Sequence, residues 1–83
     1  KRIGVIHPHW GGASIGVEDD IAKEFHNVDM ILYGHTHDAR CETRDGVIFV
    51  NPGQAYADDT AKATAGVITI DADGAFNVEI VSF

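Results

Sequence analysis

Short apolar runs, broken by glycine, proline and paired aspartates, set the elements this chain predicts. Arg2 to Ile6 is such a run, and it stops at His7-Pro8 as a strand handing its C-terminal end to a loop does. Val17, Ile21 and Phe25 recur at a spacing of four, which predicts an amphipathic helix over 18–27. Its first turn holds Glu18, Asp19 and Asp20, where the helix dipole favours negative charge, and Asn27 suits its C-terminal end. Asp29 to Tyr33 is too uniformly apolar for a half-solvated strand and predicts a central one, covered on both faces. Ala39 to Thr43 and Val47 to Val50 flank the turn signal Arg44-Asp45-Gly46, and a hairpin follows. Asn51-Pro52-Gly53 turns the chain into a polar, alanine-rich surface loop over 54–64. A second hairpin is expected after it: Ala65 to Ile70, a turn at Asp71-Ala72-Asp73-Gly74, then Phe76, Val78 and Ile80 alternating with Asn77 and Glu79. One helix among about five strands makes the fold class α/β.

Length changes the picture first. At 83 residues the chain is one small domain or a piece of one; a chain this short buries only about 60–65% of the surface its unfolded form exposes, so a covering partner is expected from size alone. It opens on Lys1 rather than Met, as a fragment does. With 45% hydrophobic and 23% charged residues, it should fold rather than remain disordered. Six Lys and Arg against thirteen Asp and Glu leave a charge of −7, which repels a phosphate backbone and excludes general nucleic-acid binding. No apolar run approaches the roughly 18 residues of a membrane span, and the opening run is too short for a signal peptide, so no membrane association and a cytoplasmic location are expected. The lone Cys41 cannot close an internal disulfide and is expected to be inert.

The histidines carry the chemistry. His7 and His9 follow the first apolar strand, and His35 and His37 follow the second. Ligands and metals gather beyond the carboxyl ends of strands in sheets covered by helices, so two neighbouring strands would bring these imidazoles to one rim. Neutral imidazole binds zinc, nickel and related first-row ions; the plain alternative is four polar loop residues capping strand ends. Gly11 to Gly16 lacks the Lys and Ser/Thr of a phosphate-binding loop and is read as a flexible connection. Trp10 is read as edge packing, with stacking on a substrate as the alternative, and Asp58-Asp59 as solvated loop.

Gly34-His35-Thr36-His37, followed a hairpin later by Asn51-Pro52-Gly53, resembles the C-terminal half of the calcineurin-like metallophosphoesterases, nearest to their small bacterial and archaeal phosphodiesterase branch. Ile6-His7-Pro8-His9 stands where that branch carries Thr-His-Gly-His, so Pro8 departs from the pattern, as does Gln54 where serine is commoner. The likeness spans almost the whole chain. It implies that residues 1–83 are the C-terminal half of a single domain, part of a two-sheet α/β sandwich with flanking helices. It also implies hydrolysis of a small-molecule phosphoester, as a phosphodiesterase or phosphatase, at a centre of two divalent transition-metal ions, Mn ahead of Fe, Zn or Ni. His7 and His35 would ligate one ion and His37 the other, while His9 would take a catalytic role facing substrate or orienting a ligand.

The family's earlier motifs, an Asp-x-His, a Gly-Asp and a Gly-Asn-His or Gly-Asn-Asp, occur nowhere in the chain. The bridging carboxylate and the group that protonates the leaving oxygen are therefore expected from an N-terminal half, on the same chain or a separate one, and residues 1–83 alone are expected to be inactive. Apolar surface over Met30–Tyr33 and Val47–Val50 is expected to stand bare unless that half, or a second copy of the chain, covers it. The same resemblance reaches a non-catalytic, protein-binding scaffold, the subunit of this fold in the retromer coat.

Overall fold

In the computed structural model, which describes residues 1–7, 21–34, 36–59 and 61–83, the described residues form six strands in two sheets. The larger sheet has the order β1-β2-β4-β3: β1 (Ile3–Ile6), β2 (Met30–Tyr33), β4 (Val47–Asn51) and β3 (Arg40–Arg44). β1, β2 and β4 run parallel, and β3 closes the far edge antiparallel to β4. The β3–β4 hairpin has Arg44 opposite Val47, which leaves Asp45 and Gly46 as a two-residue turn with φ of 51° and 80°. Positive φ at both positions is the geometry that matches the right-handed twist of the strands, and Asp-Gly supplies it at low cost. The second sheet is the hairpin of β5 (Thr64–Ile70) and β6 (Phe76–Ser82), expected from the sequence almost to the residue.

One face of the larger sheet carries the core. Ile21, Ile31, Tyr33 and Phe49 are buried together, with Ile6, Phe25, Val28 and Val47 packed around them. The expected helix over 18–27 ends early: Ile21 and Ala22 are helical, Lys23 and Glu24 form a turn closed by Glu24 N–H donating to the Ile21 carbonyl at 3.0 Å, and residues 18–20 lie outside the described ones. The cause is the place Phe25 takes. Its ring lies so close over Gly4 that a Cβ there would stand 2.8 Å from two ring carbons, and Asn27, at φ 58°, turns the chain back into β2. A regular helix through 27 would carry Phe25 along its axis instead.

The other face, on which Val5, Leu32 and Val50 fall by alternation, meets the second sheet. Thr64 anchors that sheet, its hydroxyl donating to the Pro52 carbonyl at 2.6 Å and its backbone N–H to the Gln54 carbonyl at 2.8 Å. A Cβ at Gly66 would lie 3.6 Å from Pro52 and 3.9 Å from Val50, so β5 packs along the end of β4. The expectation of bare surface over Met30–Tyr33 and Val47–Val50 is corrected here, because Met30, Ile31, Tyr33, Phe49 and Val50 are all buried. The uncovered apolar groups lie one strand over, with Val5 72% exposed, and on the second sheet and its end, at Val67, Ile70 and Phe83. Among the described residues no helix is long and apolar enough to cross a membrane.

Candidate metal centre

Three parallel strands end at one rim. The pairings Ile6 with Tyr33 and Leu32 with Val50 set β1, β2 and β4 level, so His7, Gly34 and Pro52 leave their strands side by side. They border an open, mainly apolar cleft of about 360 Å³ that Val5, Leu32 and Tyr33 continue. A Cβ at Gly34 would meet the His7 ring at 3.6 Å, so the start of the Gly-His-Thr-His loop lies beside that imidazole. His7 is exposed.

Beyond Gly34 the loop is fixed by side chains that sequence reasoning left without a role. Asn51, wholly buried at the end of β4, donates from Nδ2 to the Thr36 hydroxyl at 2.8 Å. Its Oδ1 accepts the Gly53 N–H at 3.0 Å, a turn that Gly53 permits with φ 86°. The same Thr36 oxygen accepts the Asp38 N–H at 3.3 Å. Between these two anchors His37 adopts φ 63°, the left-handed region, and its exposed ring meets Tyr56 edge to face, centroids 6.3 Å apart and planes at 80°. Tyr56 is itself held from behind, because the buried Gln54 donates from Nε2 to the Tyr56 carbonyl at 2.9 Å. Only the Asn-Pro-Gly motif hinted at any of this.

His7 follows β1 and borders the cleft, and His37 lies in the loop that follows the neighbouring β2, against Tyr56; His9 and His35 lie outside the described residues. Neutral imidazoles at the ends of parallel strands are donors that suit a borderline first-row ion. Among the described residues no three His, Cys, Asp or Glu side chains come together to hold a metal. The nearby acids are engaged elsewhere or turned outward: Asp38 sits 3.9 Å from Arg40, and Asp58 closes its own loop by accepting the Ala61 N–H at 3.1 Å. Cys41 is exposed on β3, paired with Val50 one position back from the rim. The donor set fits a metal in part, then, and among the described residues it lacks the carboxylate a bridged pair of ions requires. Asp29, whose carboxyl is held below its ordinary range by the Arg2 backbone N–H it accepts at 2.8 Å, lies at the opposite end of β2.

The calcineurin-like phosphoesterase superfamily domain matches residues 1–73. Among solved structures, the chain is similar to a Thermotoga maritima protein, TM1076, at 32% identity over 98% of this chain and 47% of that one, with a TM-score of 0.61. It is similar also to Vps29 from Entamoeba histolytica complexed with Zn²⁺, at 24% identity over 96% of this chain and 54% of that one, TM-score 0.63. Vacuolar protein sorting 29 from Cryptosporidium parvum gives 22%, 98%, 51% and 0.63 in the same order. The last two show the fold alone, which the two sheets of this chain match. The chain spans about half the length of the structures it matches. No protein of curated function matches it.

Proposed function

Because the chain belongs to the calcineurin-like phosphoesterase superfamily, we propose that it supplies His7, His35 and His37 to a two-metal centre that hydrolyses phosphoesters, as the C-terminal half of a domain completed by a further segment. The observation that carries the reading is the rim: three parallel strands end level, and the loops that hold His7 and His37 follow two neighbouring ones. Two bound divalent ions supply polarisation of the phosphoryl oxygens and a water of lowered pKa. What this chain's own residues do is narrower. His7 and His37 offer imidazole nitrogen from the loops that follow neighbouring strands, and the cleft that His7 borders leaves room for the ester group. His9, carried over from the resemblance, takes a catalytic role toward substrate; Mn, Fe, Zn and Ni all suit the mixed donors expected of the complete site, and only the resemblance puts Mn first.

The need for a completing segment rests on two features. β1 stands at the edge of its sheet with Val5 72% exposed, and the chain covers about half of each structure it resembles. The missing half would bring the bridging carboxylate. Assay of bis(p-nitrophenyl) phosphate with Mn²⁺ tests both points: residues 1–83 alone should be inert, and the completed domain should turn over. His37→Ala should then lower kcat/KM by about 100-fold or more. Turnover by the isolated 83-residue chain would overturn the proposal.

A second reading is favoured by the likeness to two proteins named for vacuolar protein sorting and by the exposed Val67, Ile70 and Phe83. On that reading the same fold is a non-catalytic, cytoplasmic protein-binding scaffold. Metal binding does not separate the two, since one of those proteins is complexed with Zn²⁺. A metal-loaded, complete domain that hydrolyses no phosphoester would favour the scaffold.

A further inference from the structure

We propose that Asn51 is a positioning residue, which through Thr36 holds His37 in its left-handed backbone and so sets the direction of that imidazole. The inference rests on the reading of His37 as a metal ligand. A residue bearing a Cβ occupies the left-handed region only where its surroundings over-determine it. Here the residues on both sides of His37 are tied to one atom: Thr36 owns the hydroxyl oxygen, and the Asp38 N–H donates to it at 3.3 Å. That oxygen is in turn fixed to the sheet by the 2.8 Å bond from the wholly buried Asn51.

The chemistry of the amide explains the residue type. Asn51 donates to Thr36 with its nitrogen and accepts the Gly53 N–H with its oxygen, at 3.0 Å. Aspartate would keep the second bond and could accept the Thr36 hydroxyl proton in place of the first; leucine would lose both and leave buried polar groups without partners. Asn51 is therefore a bracket between the end of β4 and the Gly-His-Thr-His loop, and it touches neither metal nor substrate itself. Removal of such outer partners of a metal ligand typically costs about 10–100-fold in metal affinity.

Three variants of the complete protein test the bracket: Thr36→Val removes the acceptor, Thr36→Ser keeps it, and Asn51→Leu removes the donor. The readout that needs no metal is the NMR signature of His37, its positive-φ chemical shifts together with amide exchange at Asp38. Titration with Mn²⁺ or Zn²⁺ is the second readout. Thr36→Val and Asn51→Leu should lose the left-handed signature, exchange Asp38 at least about 10-fold faster and bind the ion about 10–100-fold more weakly, while Thr36→Ser should behave as wild type. Should Asn51→Leu fail to fold, Thr36→Val decides, since Thr36 is only half buried. A Thr36→Val protein with the wild-type His37 signature and wild-type affinity would overturn the proposal. Wild-type protein that binds neither ion would overturn the metal-site reading, and the His37 signature would then decide for or against the bracket.

Discussion

Gly4 and Phe25 meet so closely that neither can be exchanged independently. Alanine at Gly4 would set its Cβ 2.8 Å from the Phe25 ring, so the ring or the strand must move. Gly4→Ala should lower stability by about 1–3 kcal/mol in urea unfolding, the usual cost of overpacking. Phe25→Leu in the same background should recover part of that loss, because the smaller side chain can retreat. Asp29 gives a second effect at this scale. Its carboxyl is held below the ordinary range, first by the Arg2 backbone N–H and then by the positive charges of Lys1, the N-terminus and Arg2. The folded state thus binds that proton less readily than the unfolded one, and the stability it contributes is present above the ordinary carboxylate pKa and is lost as pH falls through the depressed value. Asp29→Asn should flatten the acid limb of a Tm-against-pH curve and leave its neutral limb at a uniformly lower or equal Tm.

Elements were legible where one local rule decided them. The Asp45-Gly46 turn, the apolar run of β2 and the alternation of β6 each follow from neighbouring residues, and the structure has them where the pattern puts them. The end of the helix was not legible, because Phe25 leaves it for a contact with Gly4 that lies far away in sequence. The histidine pairs stand out in the sequence as a candidate site, since each follows an apolar strand. The partners of the second pair could not, since Asn51 reaches Thr36 across a whole hairpin and Tyr56 comes from a stretch that reads as plain surface loop. Gly53 marks that stretch as more than a linker. At φ 86° any side chain is strained, and a Cβ would also collide with Thr64 Oγ1, which anchors β5. Gly53→Ala should cost about 1 kcal/mol or more, seen as a lower Tm, and should raise amide exchange at Thr64.

For the molecule as a whole the question is what lies over β1. The sequence predicted an uncovered apolar face but assigned it to β2 and β4; packing of the β5–β6 hairpin along β4 moved it to the sheet edge, a consequence of tertiary contact that no local pattern carries. Val5 is 72% exposed, so Val5→Lys should change the stability of residues 1–83 by less than about 0.5 kcal/mol. The same substitution should weaken binding of a separately supplied N-terminal half, read by titration calorimetry; unchanged binding would mean that this edge is not the seam. The central claim, that His37 serves a metal centre completed by another segment, is tested most directly by native mass spectrometry of the completed protein in Mn²⁺. The account predicts two bound ions in the wild type and a loss of at least one in His37→Ala, with the mass of the assembly otherwise unchanged. No bound metal, or the same metal count after His37→Ala, would contradict it.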